Sequence, residues 1–84
     1  MYSIVFSSKA KKELLAFPNR VILSLESKID GLAHNPRPAG CKKLQGSVNE
    51  YRIRAGNYRI IYTIADVVRV VTIIKVADRK DAYR

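Results

Sequence analysis

Apolar positions change period along the chain, and each change marks an element. Tyr2, Ile4 and Phe6 alternate with Ser3 and Val5 in a β-branched and aromatic stretch, which predicts a short opening strand with those three side chains on one face. Ser7 or Ser8 then offers an N-cap. Ala10, Leu14 and Phe17 follow at helical spacing, with Lys9, Lys11, Lys12 and Glu13 on the wet side, and Pro18 ends the helix. A longer helix, capped by Asn19, carries Ile22, Leu25, Ile29 and Leu32 in steps of three and four to about His34. Asn35-Pro36-Arg37-Pro38-Ala39-Gly40 cannot extend it, since two prolines remove donors and restrict the residues before them; an exposed loop is expected. Two amphipathic helices on so short a link predict an antiparallel hairpin laid on one face of a sheet.

The stretch from Cys41 to Gly46 returns the chain to the sheet, with Leu44 as anchor and Lys42 and Lys43 exposed. From Tyr51 the period is two. Large apolar and cationic residues alternate to Ala55, Gly56-Asn57 gives a turn signal, and a β-branched, aromatic run follows to Ile64, which together read as a hairpin. A two-residue loop, whether Ala55-Gly56 or Gly56-Asn57, puts Arg52, Arg54 and Arg59 on one face and Tyr51, Ile53, Tyr58, Ile60 and Tyr62 on the other. A three-residue loop mixes the two sets, so the even loop is expected. Ala65-Asp66 then reads as a turn, and Val67 to Val76 as a last, central strand nearly continuous in β-branched residues. An odd loop there would put Arg69 and Lys75 on the arginine face, whereas an even one would turn them into the core, where charge is costly; the odd loop is expected.

Charge changes the meaning of this pattern. Sixteen Lys and Arg against seven Asp and Glu give a net +9 over 84 residues, a single domain, with 48% hydrophobic residues to fold it. Like charges side by side on strands are destabilising, so a sheet that gathers three arginines has an anionic partner to meet; nucleic acid is the commonest. A membrane partner is not expected, because no run approaches the ~20 apolar residues of a spanning helix. The apolar start, Met1 to Phe6, runs at once into Lys9 to Glu13, which leaves no signal-peptide core, and the chain is expected to stay in the cytoplasm. Lone Cys41 forms no internal disulfide and, without a matched His, no metal site. His34, at a helix C-terminus, receives no catalytic role. The tail, Ala77 to Arg84, adds Arg79, Lys80 and Tyr83, an aromatic that can stack on a base or pack on the sheet edge.

The Tyr-x-Ile opening, the helical pair ending in Asn35-Pro36, Lys43-Leu44-x-Gly46, Tyr51-Arg-Ile-Arg, Gly56-Asn-Tyr-Arg-Ile-Ile-Tyr62 and the closing Arg79 to Tyr83 together carry a likeness over nearly the whole length. The chain resembles the RelE/ParE superfamily of bacterial and archaeal type II toxins, and within it the RelE branch of messenger-RNA-cleaving toxins. The resemblance implies an α+β, microbial-RNase-like fold: an N-terminal strand, a helical hairpin and a three-stranded antiparallel meander, with the helices on one face of a sheet of about four strands. It implies cleavage of messenger RNA in the ribosomal A site, the RNA's own 2′-hydroxyl attacking the adjacent phosphate to leave 2′,3′-cyclic phosphate and 5′-hydroxyl ends, with no metal or cofactor. The family's functional cations fall on Arg52, Arg54, Arg59 and Arg79, and its base-stacking tyrosine on Tyr83. Lys42, Lys43, Arg69, Lys75 and Lys80 are the candidate RNA-phosphate contacts around them. The implied partners are a RelB-like antitoxin in a hetero-oligomer, messenger RNA and the ribosome.

Two departures bear on mechanism. Arg52 and Arg54 stand where the best-known members carry lysines, and a guanidinium with a pKa above ~12 is a poor general base. Ala77-Asp78 stands where many relatives have Gly-His; that carboxylate could act as base, orient Arg79 or partner it on the surface. The runner-up functions are a ParE-like gyrase poison that does no chemistry and a degenerate toxin kept only as its antitoxin's partner.

Overall fold

A computed structural model describes residues 1–78. Five strands form one sheet in the order β1-β5-β4-β3-β2, with β1 at Ser3–Phe6, β2 at Lys42–Lys43, β3 at Glu50–Ala55, β4 at Tyr58–Ala65 and β5 at Val70–Asp78. Helix α1 spans Ser8–Leu15 and α2 spans Asn19–His34. Ser7 caps α1, its Oγ accepting the Ala10 N–H at 3.1 Å. Asn19 is not a cap but the first helical residue; Pro18 holds the cap position without a side-chain bond, as suits a residue whose ring presets the entry angle.

The antiparallel meander β3-β4-β5 is as the alternation predicts, and β5 is central because β1 pairs with it in parallel on the other side, Ser3 opposite Val70 and Phe6 opposite Ile73. The two-residue strand β2 is an addition to the expected sheet. Both helices lie on one face, α1 against β5 and β1, α2 against β1 and β3. Ala10, Leu14, Leu25, Ile29 and Leu32 meet Ile53, Ile60, Tyr62, Ile64, Val71, Ile73 and Val76 there in one core.

The hairpin loop is Gly56-Asn57, with Ala55 opposite Tyr58 and Gly56 at φ +62° supplying the left-handed turn that a side chain resists. The next loop overturns the expectation. Ala65 pairs with Val70, so the turn Asp66–Arg69 holds four residues and is even, and β5 starts at Val70 rather than Val67. Parity alone would send Lys75 into the core. A β-bulge prevents this: Ile61 faces Lys75 while Tyr62 faces Ile73, leaving Ile74 as the extra residue. One unpaired residue restores the alternation, so Lys75 and Ala77 share the face of Arg59 while Val76 stays inside.

The loop after α2 is also not simply exposed. Pro36 is buried, and its carbonyl accepts a 2.7 Å hydrogen bond from the hydroxyl of Tyr62, a side chain with no exposed surface. Burying that phenol requires a partner, and the loop backbone provides it.

Candidate nucleic-acid interface

Register assembles the cations into two rows on the sheet face opposite the helices. In the first, Lys42 lies opposite Arg52, Arg52 opposite Ile61 and Ile61 opposite Lys75, so one row crosses four strands. In the second, Arg54 lies opposite Arg59 and Arg59 opposite Ala77. Neighbouring strands lie ~4.8 Å apart and the rows ~7 Å apart, which places five cationic side chains within reach of a few consecutive phosphates.

This face is not the open, solvated surface that alternation suggests. Arg54 is exposed, whereas Arg52 and Arg59 retain only 7% and 5% of their accessible surface. In register, Lys42 and Ile61 lie on either side of Arg52, and Arg54 and Ala77 on either side of Arg59. Nε of Arg52 is fully buried and has no hydrogen-bond partner among the described residues. A buried guanidinium donor without an acceptor is costly, and in a native protein it calls for a reason, such as a water or strain kept for function.

Other candidates fall elsewhere. Lys43 pairs with Tyr51, and alternation turns it to the opposite face from Lys42; both are exposed. Arg69 sits in the β4-β5 turn in the left-handed region, φ 56°, eight residues along β5 from Ala77, roughly 25 Å at ~3.3 Å per residue. It is remote from the two rows. Asp78 is in register with Tyr58 and so belongs to the helix-covered side of the sheet rather than to that of Arg54 and Arg59. Arg79, Lys80 and Tyr83 lie outside the described residues. Among the described residues no cluster of His, Cys, Asp or Glu could hold a metal ion, and no helix is long and apolar enough to cross a membrane.

Arg37 has a place in the structure that periodicity does not announce. It forms a two-pronged ion pair with Asp66, at 3.2 and 2.9 Å, donates to the Tyr51 hydroxyl at 3.3 Å, and lies 5.1 Å from the centre of the Tyr51 ring. Tyr2 donates to the same Asp66 carboxylate at 2.7 Å. These bonds, from Arg37 first and Tyr2 second, hold Asp66 below the usual carboxylate range, and the bond to Asp66 raises the Tyr2 phenol. Burial, and then the neighbouring Cys41, push Tyr62 above the ordinary phenol value. The network ties the α2-β2 loop to the β4-β5 turn and to β1. Its only sequence signal is Arg37 between two prolines.

With this geometry, comparison with known proteins is decisive. A family model described as the ParE toxin of type II toxin-antitoxin system, parDE, matches residues 4–83. The chain belongs to the RelE/ParE superfamily of type II toxins. Toxin RelG of Mycobacterium tuberculosis is 29% identical over 84 residues, covering 99% of this chain and 97% of its own length. In the toxin-antitoxin complex RelBE2 from the same organism, a chain superposes with a TM-score of 0.83 at 26% identity, covering 93% of this chain and 98% of that one. The isolated Escherichia coli RelE toxin superposes at 0.82 with 29% identity, over 99% and 92% of the two chains. RelE-family toxins thus share this α+β architecture from end to end.

Proposed function

We propose that this type II toxin is a metal-independent endoribonuclease that cleaves messenger RNA in the ribosomal A site, in the cytoplasm, and is restrained by a RelB-like antitoxin. The observation that carries the reading is the pair of cationic rows, above all the direct opposition of Arg54 and Arg59. Two guanidinium groups directly opposite one another on paired strands can together hold the oxygens of one scissile phosphate.

In this mechanism the RNA's 2′-oxygen forms a bond to phosphorus as the bond to the 5′-oxygen breaks, leaving a 2′,3′-cyclic phosphate and a 5′-hydroxyl. Arg54 and Arg59 hold the non-bridging oxygens and stabilise the phosphorane charge without changing protonation state. The 2′-hydroxyl proton passes to water and the leaving 5′-oxygen takes one from water, while Arg79, a functional cation by the resemblance, donates a hydrogen bond toward that oxygen and Tyr83, the base-stacking tyrosine by the resemblance, imposes in-line geometry. Asp78 is not given the role of base, because it shares the face of Tyr58. Two measurements follow. Single-turnover cleavage should show no titration attributable to a protein base near pH ~6 to 7, and Arg54→Lys should keep more activity than Arg54→Ala. A loss of ~10²-fold or more in Asp78→Asn, with ribosome binding unchanged, would move the base to Asp78.

The relative seen in the RelBE2 complex supports an antitoxin partner here, and a +9 surface suits an acidic segment that folds on binding. Co-purification with the product of the neighbouring reading frame tests this. A second reading, a gyrase-directed ParE-like toxin, is favoured by the description of the matching family model. Inducing the chain in cells, mapping messenger-RNA 5′ ends and running a gyrase cleavage assay in parallel separates the two. New 5′ ends inside codons support the nuclease; trapped double-strand DNA breaks support the gyrase poison.

A further inference from the structure

Strand β2 stops too early to cover β3. The Leu44 N–H donates to the Glu50 carbonyl at 2.8 Å and Lys42 lies opposite Arg52, so residues 50, 52 and 54 turn their backbone groups toward β2. Beyond Lys42 the chain bends away at Gly40, φ +88°, and among the described residues no strand lies opposite the amide of Arg54. A cavity of about 510 Å³ opens there, between this edge, helix α2 and the loop at Pro38 to Gly40. That volume lies within the ~300–1,000 Å³ of ligand-sized sites.

Its lining is of one sign. Lys28 enters from α2, Lys42 from β2, and Arg52 and Arg54 from β3, with no acidic residue among the lining groups. Buried Leu32 and Ile53 form an apolar floor. Arg52 and Arg54 line it from the sheet edge, their side chains standing on the face opposite α2; Nε of Arg52 lacks an acceptor among the described residues but is itself fully buried, so the cavity offers the cationic edge and not that atom. Gly31 leaves the helix side open: a Cβ placed there would meet nothing within 4 Å. We propose that this cavity is a second phosphate subsite, holding a backbone phosphate of the bound RNA next to the one clamped by Arg54 and Arg59, with Lys28 as its distinguishing contact. The source of the phosphate rests on the nuclease reading; the anion site itself rests on the cavity. Convergent cations from three elements suit a compact, multiply accepting phosphate better than an extended peptide, which needs more than one uncovered residue of strand edge.

The test uses a short oligoribonucleotide with 2′-O-methyl groups throughout, which lacks the attacking hydroxyl and binds without being cut. Its affinity is measured by fluorescence anisotropy across a salt series for the wild-type chain, Lys28→Ala and Gly31→Glu, with circular dichroism confirming the fold of each. Lys28→Ala should lower the slope of log affinity against log salt by ~0.7, the value of one single-strand phosphate contact. Gly31→Glu, whose Cβ would meet nothing within 4 Å and which adds a negative charge to the cavity wall, should lower it at least as much. On cleavable RNA both variants should raise KM and leave kcat unchanged. Unchanged slopes in folded variants would overturn the subsite, as would variants that weaken an acidic antitoxin peptide while leaving the oligonucleotide untouched. If Arg54→Ala abolishes cleavage while the Lys28 slope stays wild-type, the subsite fails and the nuclease stands. If the chain binds RNA with a Lys28-dependent slope but cuts nothing, the subsite stands and the nuclease fails.

Discussion

Arg52 and Arg54 stand two residues apart on one strand face, yet only Arg54 is exposed. The difference comes from neighbours across the sheet: Arg52 has Lys42 on one side and Ile61 on the other, whereas β2 ends before it reaches Arg54. Arg52 is therefore held in place before any ligand arrives, at the cost of a buried donor without a partner among the described residues. Arg52→Met keeps the apolar stem and removes the buried charge. It should raise stability by about 1–3 kcal/mol in urea denaturation while lowering RNA affinity, the trade expected where a site is kept strained for function. Arg54→Ala should leave stability within ~0.5 kcal/mol, since its side chain is solvated.

At the level of elements, the β-bulge in β5 decides which face is cationic. Were Ile74 paired regularly opposite Ile61 instead of left over, the even turn at Asp66–Arg69 would put Lys75 opposite Ile60 on the core side. Deletion of Ile74 should therefore keep a cooperative thermal melt, because Ile73, Lys75 and Val76 then alternate regularly on the faces they already take opposite Tyr62, Ile61 and Ile60. Loss of the cooperative melt would show that the bulge is needed for more than the faces it sets. Glu13 plays a smaller part on the same strand. Its Oε1 accepts the Val76 N–H at 3.0 Å, past the point where β1 ends at Phe6, so a helix side chain completes an edge that no strand covers among the described residues.

Across the whole molecule, the candidate site and the fastening lie at opposite ends of the sheet. Arg54 and Arg59 flank the Gly56-Asn57 loop, while Tyr2, Arg37 and Asp66 tie the other end together. The fastening should make stability fall on both flanks of pH. Asp66 is held below its unfolded value, so its contribution is complete above ~3.9 and is lost as pH falls through the lower folded value. Tyr2 and Tyr62 are raised, so their contributions are complete below ~10 and are lost as pH rises through the folded values. Asp66→Asn should accordingly be less stable than wild type by a constant margin at neutral pH, and the margin should close in acid. Denaturation midpoints of both proteins from about pH 2 to about pH 7 read this directly; a margin unchanged across that range would mean that the Asp66 charge contributes nothing.

The sequence by itself determined the opening strand, the two helices, the β3-β4 hairpin and the segregation of Arg52, Arg54 and Arg59 from Ile53, Ile60 and Tyr62, because strand alternation and a two-residue loop at Gly56-Asn57 are local properties of a few consecutive residues. Helix α2 ended at His34 for an equally local reason, the prolines that follow it. Only the tertiary structure decided that Lys42 joins the arginines while Lys43 and Arg69 do not, and that Lys75 reaches its expected face through a bulge rather than an odd loop, since a β2 register and a bulge are announced by no periodicity. It also decided that Arg52 and Arg59 are buried, that Tyr62 reaches the carbonyl of Pro36, and that Lys28 shares a cavity with β3. Each of these depends on which residue, distant in sequence, packs across from it, and hydrophobic pattern specifies the face a side chain takes but not the neighbour it meets there.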